Sequence, residues 1–237
     1  KYYLVGQNDG TYIYESANDK FVRKVVSAQY FSKDNKYLYA IEGNRIDKRL
    51  FSTGELLISY YFIGKNDWVA TTPNGFFDGT PNGLKELYYV KGLDIIPLES
   101  TFEQFYTPNL TQRVNAGEKL LNTVNLSQLQ QAPEVKILSP NNNSNLSSNN
   151  IVISVQVKDN CGGIDEVQLF HNGKLVETTN RGFKSIPSNN IQKFTITLVD
   201  GVNILKATAF NNQRTEAIPD VVQVNFSGQK ATSNLFL

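Results

Sequence analysis

Short apolar runs separated by polar, turn-forming clusters recur along most of the chain, and their spacing changes character partway. In residues 1–62 the apolar Tyr2-Tyr3-Leu4-Val5 and Thr11-Tyr12-Ile13-Tyr14 flank Asn8-Asp9-Gly10, a hairpin signal. The design then repeats, with strands expected over residues 25–31, 37–41, 46–51 and 56–62 and turns at Ser32-Lys33-Asp34-Asn35, Glu42-Gly43-Asn44 and Ser52-Thr53-Gly54. Four strands with three tight turns follow the plan of one blade of a β-propeller. One and a half blades cannot bury their own faces, so the pattern implies further blades N-terminal to Lys1.

Residues 67–131 read differently. Trp68-Val69-Ala70-Thr71-Thr72 predicts a strand, Pro73-Asn74-Gly75 a turn and Phe76-Phe77-Asp78 a short partner strand. Leu84, Leu87, Tyr88 and Val90 suggest a helix over 84–91 with Gly92 as its C-terminal cap, and a helical turn follows at 101–106. Thr107-Pro108 predicts a capped helix through Leu110 and Val114 to Asn115, and residues 118–129 could add a third.

From Pro133 the period becomes two. Residues 135–138, 151–157, 167–170, 175–176, 194–198, 203–209 and 221–225 predict about seven strands, with the Asn- and Ser-rich run 141–150 as a solvated loop. His171-Asn172-Gly173-Lys174 is the strongest hairpin signal in the chain. That strand count and spacing predict an immunoglobulin-like sandwich. The expected fold class is mainly β: the end of a β-propeller (1–79), a short helical linker (80–131), an immunoglobulin-like β-sandwich (132–228), then a linker and the first strand of a further domain (229–237).

Composition narrows the partners. With 23 Lys and Arg against 22 Asp and Glu, and the basic residues Lys33, Lys36, Lys48 and Arg49 scattered, nucleic acid is not an implied partner. No run approaches the ~20 apolar residues of a transmembrane helix, so no membrane partner is expected either. The single cysteine, Cys161, excludes an internal disulfide framework and fits a cytoplasmic, reducing compartment without requiring one. The sequence contains no methionine, and the chain is therefore expected to be a fragment of a longer protein.

Three groups of residues carry a resemblance. Phe31 to Leu57 looks like a degenerate WD-type blade, although Arg49-Leu50-Phe51 stands where the Trp-Asp dipeptide would be. W-x-x-x-T-P-x-G-x-F-D-G (Trp68 to Gly79) and F-E-x-F-Y-x-P-x-L (Phe102 to Leu110) then precede P-x-V-x-I-x-S-P (Pro133 to Pro140), G-G-I-x-x-V-x-L-x-x-N-G-K (Gly162 to Lys174) and a G-x-N-x-I-x-x-x-A-x-N pattern (Gly201 to Asn211, with Leu205 at the isoleucine position). Together they resemble the middle of bacterial WD-repeat proteins in which an Ig-like module leads into a caspase-like peptidase domain. The resemblance implies that this peptidase domain follows Leu237, with Asn234-Leu235-Phe236-Leu237 as its opening strand.

The candidate chemistry is sparse. A cysteine peptidase needs a thiolate with a histidine in reach, and Cys161 and His171 are the formal pair, but both sit at turn positions that turn chemistry explains. Asp159, Asp165 and Glu166, with Asn160, could offer oxygen ligands to calcium, against which stands a simple solvated turn. Phe76 and Phe77 are expected in a core and Gly162-Gly163 in a turn. Half of the strand tyrosines are expected inside, which weakens a sugar-binding reading of Tyr2, Tyr3, Tyr12, Tyr14, Tyr37, Tyr39, Tyr60 and Tyr61. The sequence thus assigns no catalytic, cofactor-binding or metal-ligating residue. It predicts a non-catalytic scaffold with a protein partner, and as its rival a surface module that binds protein or glycan.

Overall fold

The computed structural model describes residues 1–121, 124–176 and 190–228. The chain is mainly β and forms two compact units. One comprises Lys1–Val90, Pro97–Glu99 and Gln104–Ser127; the other comprises Lys91–Ile96, Ser100–Glu103 and Gln128–Leu237. The linker and strand expected over 229–237 lie outside the described residues.

In the first unit, β1 (Tyr2–Gln7), β2 (Gly10–Glu15) and β3 (Lys20–Val25) form an antiparallel sheet. A second sheet runs in chain order through β4 (Tyr30–Phe31), β5 (Tyr37–Glu42), β6 (Arg45–Leu50), β7 (Leu56–Ile63), β8 (Asp67–Thr71) and β9 (Phe77–Gly79). The expected four-strand meander is therefore present but longer. The turn after β7 takes positive φ at Gly64 and pairs Ile63 with Asp67, which adds β8 and β9 to the same sheet. The strand expected over 25–31 divides, because Val25 ends β3 and only Tyr30–Phe31 pairs with β5. Ile13, Val25, Ala28 and Leu38 bury one another, with Tyr2, Leu4, Phe31 and Phe51 around them. Thr11 holds this junction by exchanging hydroxyl bonds with the Ala28 backbone, accepting from its N–H at 3.1 Å and donating to its carbonyl at 3.2 Å.

None of the eight strand tyrosines is buried; the inward positions belong to Thr11, Ile13, Leu38 and Ala40. Half-burial lets a tyrosine rest its ring on neighbours and keep its hydroxyl in water. Tyr3 and Tyr14, for example, stack with centroids 5.4 Å apart.

The helix expected over 84–91 does not form. α1 (Pro81–Leu84) is one turn long, capped by the Thr80 hydroxyl, and Tyr88–Lys91 is strand β10, paired with β11 (Asp94–Pro97). Tyr88-Tyr89-Val90 are strand formers, and Gly92, at φ 62, turns this hairpin instead of capping a helix. α2 (Phe102–Phe105) meets the expected helical turn. α3 (Leu110–Asn115) is also present, but Thr107-Pro108 does not cap it. The Thr107 hydroxyl donates to Phe105 O; Asn109 stands at the N-cap with φ 60, and the Asp78 carboxylate accepts the Leu110 N–H at 3.3 Å. Between 118 and 129 the described residues hold only a 3₁₀ turn, Leu126–Gln128. Phe76 and Phe77 are buried as expected, against Phe105 and Tyr106.

The second unit is a two-sheet sandwich. Its strands are β12 (Glu134–Ser139), β13 (Ser144–Leu146), β14 (Asn150–Lys158), β15 (Glu166–His171), β16 (Lys174–Leu175), β17 (Ile191–Thr197), β18 (Gly201–Phe210) and β19 (Asp220–Phe226). One sheet has the order β12-β14-β17 and the other β13-β19-β18-β15-β16. Ile153, Val155 and Val157 face Leu205, Ala207, Ala209, Val222 and Val224 across one core, the alternation that the sequence shows. The expected hairpin is present, with Asn172 at φ 49 and Gly173 at φ 80 between the paired His171 and Lys174. The run 141–150 is not all solvated loop, since β13 lies within it, parallel to β19. Asparagine side chains help to hold it there: Asn142 Oδ1 accepts from Gln223 N at 2.9 Å, and Asn225 donates to Asn145 Oδ1 at 3.3 Å.

Among the described residues no helix is long and apolar enough to cross a membrane.

Candidate functional site

The residues with the most obvious chemistry lie in the sandwich. His171 ends β15, and its Nε2 lies 2.8 Å from Asn203 Oδ1. Asn203 is fully buried and saturated: it donates to Val199 O at 2.8 Å and Gly201 O at 2.9 Å and accepts from Val199 N at 2.9 Å. The pair thus fixes the turn between β17 and β18. Cys161 is exposed, at φ 69, in the turn before β15, and its carbonyl accepts from Gln130 Nε2. Six strand residues at ~3.3 Å each separate that end of β15 from His171. The structure does not bring the formal dyad together.

The carboxylates Asp165 and Glu166 converge, but on a cation that the sequence reading passed over. Arg214 Nη1 reaches Asp165 at 2.9 Å and Glu166 at 2.8 Å, while its Nε and Nη2 form a two-point contact with Glu103 at 2.8 and 2.9 Å. The guanidinium lies 4.1 Å from the Phe210 ring centroid. These hydrogen bonds, that with Glu103 foremost, raise the Arg214 pKa; in return, the Arg214 bond holds Glu103 below the usual carboxylate value, against the opposing effect of burial. Asn211, fully buried, builds the loop that aims Arg214, since its Oδ1 accepts from Gln213 N and Thr215 N and its amide donates to Gln131 O. Asp159 accepts from Gly162 N, closing the expected turn, and Asn160 donates to Ala132 O. No group of side chains suited to holding a metal occurs among the described residues.

The first unit holds a different kind of site. Register places Phe62 opposite Trp68 and Tyr60 opposite Ala70, which in turn opposes Asp78, so Tyr60, Phe62, Trp68 and Asp78 share one face of β7, β8 and β9. With Asn109, Thr111 and Gln112 at the start of α3, they line a cavity of about 370 Å³. Each wall is fixed from behind. Asn44 holds Phe62 through its N–H and carbonyl, Thr80 brackets the Trp68 backbone, and Asp78 is held by the Leu110 and Gly79 amides. Phe62 stays half-exposed at 49%, while the side chains of Asn109, Thr111 and Gln112 make no hydrogen bond within the described residues.

On β6 of the same unit, Asp47 and Lys48 are both buried although the sequence presents them as strand-surface charges. Ser59 donates to Asp47 at 2.7 Å and Arg45 lies 3.2 Å from it; Lys48 donates to Asn115 Oδ1 at 2.6 Å and sits 3.7 Å from the Tyr37 ring centroid. Burial pushes the Lys48 pKa down. Alternation cannot reveal this, because β6 is covered on both faces.

The family comparison agrees with the sandwich. Residues 133–209 match the model of a bacterial Ig domain, and this part of the chain is an Ig-like domain. No curated protein matches the chain. Among solved structures, the chain is similar to the fibronectin(III)-like modules of Clostridium thermocellum CbhA, at 18% identity and TM-score 0.33, over 40% of this chain and 99% of that one. The endo-beta-1,4-mannanase from Thermotoga petrophila matches at 10% identity and TM-score 0.34, over 51% of this chain and 23% of the enzyme. The sialic acid binding region of a Streptococcus sanguinis SK1 adhesin matches at 12% identity and TM-score 0.28, over 72% of this chain and 37% of that region. Likeness at this level identifies no ligand.

Proposed function

We propose that this chain is a non-catalytic scaffold: residues 1–79 belong to a propeller-like recognition part, 80–131 link it, and the Ig-like domain over 132–228 acts as a rigid spacer. On the sequence resemblance, the spacer carries a caspase-like peptidase that lies beyond Leu237. The observation that supports the scaffold role most is the use made of the reactive side chains. His171 serves Asn203, Asp165 and Glu166 serve Arg214, and Asp159 serves Gly162 N. A catalytic acid, base or nucleophile must be presented to a substrate in a cleft. Here the same groups hold turns and loop ends, and Ig-like domains are typically non-catalytic.

The test is a gene product extended past Leu237. The scaffold reading expects it to cleave peptides, to lose cleavage when a downstream cysteine is replaced, and to keep it in Cys161→Ala and His171→Ala. Loss of cleavage in either of those two variants, or an extended product with no cysteine peptidase segment, contradicts the reading.

A further inference from the structure

We propose that the cavity between β7–β9 and the start of α3 is a binding site for a neutral saccharide, presented to one or two sugar rings. This rests on the reading of the first unit as a recognition part and specifies what it recognises. Three observations carry it. The cavity, at about 370 Å³, lies at the lower end of the ~300–1,000 Å³ range of small-molecule sites. One wall is aromatic, with Tyr60, Phe62 and Trp68 presented from adjacent strands, and Phe62 remains exposed within a concave surface where burial would otherwise be expected. The other wall is polar, with a carboxylate, two amides and a hydroxyl from Asp78, Asn109, Gln112 and Thr111.

A pyranose has the complementary character: a face of C–H bonds that packs on aromatic rings and an equatorial rim of hydroxyls that both donate and accept. Amide and hydroxyl side chains can do both, and a carboxylate accepts two donors from adjacent hydroxyls. Among the described residues the three side chains from the α3 segment make no hydrogen bond, so a ligand displaces water from them and not those residues. The charges decide among ligand classes. No lysine or arginine lines the cavity and Asp78 does, which disfavours phosphates and acidic sugars. A wholly apolar ligand would leave the four polar groups of that wall facing it without partners.

Trp68 is the only tryptophan in the chain and lines the cavity, so the chain's tryptophan emission responds to what occupies it. The intact chain is titrated with glucose, galactose, mannose, N-acetylglucosamine and their β-linked disaccharides in the millimolar range, with N-acetylneuraminic acid alongside. The proposal expects a saturable change in Trp68 emission with at least one neutral sugar. It expects Phe62→Ala and Gln112→Ala, whose side chains are exposed, each to weaken that response about tenfold or more while leaving the thermal melt in place. No saturable response to any neutral sugar, a response to the acidic sugar alone, or a response unaltered in both variants overturns the assignment. The scaffold reading falls by a different result, cleavage that depends on Cys161 or His171.

Discussion

At the scale of the residue, two asparagines near the ends of β18, Asn203 and Asn211, are fully buried and hold the backbone of the adjoining turns. Asn203, itself fully buried, supplies both acceptor and donor to the backbone of the turn at Val199 and Gly201. Asn203→Leu should therefore destabilise the chain by about 1–3 kcal/mol in chemical denaturation, since it leaves a partly buried N–H and two carbonyls without their partner. A cost near zero would show that the turn is held by something else. Arg214 makes a pH prediction. The folded-state pKa of Glu103 is lowered, so its contribution is fully present above the ordinary glutamate value of about 4.3 and is lost as the pH falls through the depressed value. Glu103→Gln should flatten the acid limb of stability against pH, its cost present at neutrality and vanishing below the depressed value, and that cost stays below about 1 kcal/mol because the pair is partly exposed and screened. His171, Asp165 and Glu166 were legible as polar residues near turns, but Arg214 was not, because its three partners lie 48 to 111 positions away in sequence.

At the scale of the element, close backbone packing explains the motif from Trp68 to Gly79. A Cβ on Gly79 would stand 2.6 Å from the Trp68 carbonyl oxygen, a contact that backbone cannot yield to cheaply. Gly79→Ala should separate β9 from β8, lower stability by roughly 1–3 kcal/mol and shift Trp68 emission, measured by melting and fluorescence together. An unshifted emission with wild-type stability would contradict the packing account. Strands with clean alternation, such as β14, were legible, and so was the Asn172-Gly173 turn. Less was legible where local preference and tertiary context disagree. Tyr88–Lys91 has a helix-compatible spacing of apolar residues but becomes a strand with β11 as its partner, and β13 is a strand only because β19 and asparagine side chains pair with it. The cap of α3 comes from Asp78, 32 residues upstream, where no local capping rule can find it.

At the scale of the whole molecule, the sequence led to a mainly β chain with an Ig-like sandwich, and the family match over 133–209 agrees. The sandwich was legible because a two-sheet core imposes period two on every strand. The cavity was not, because its walls come from three strands and a short helix whose residues, from Tyr60 to Gln112, meet only in the folded unit. On the function proposed, the chain holds and recognises, while His171, Asp159, Asp165 and Glu166 serve turns and loop ends. The most direct measurement compares peptide and ester hydrolysis by the purified chain with that of the Cys161→Ala, His171→Ala double variant. The account predicts no turnover above background in either protein and the same melting profile for Cys161→Ala alone; turnover by the parent chain that the double variant abolishes would contradict it.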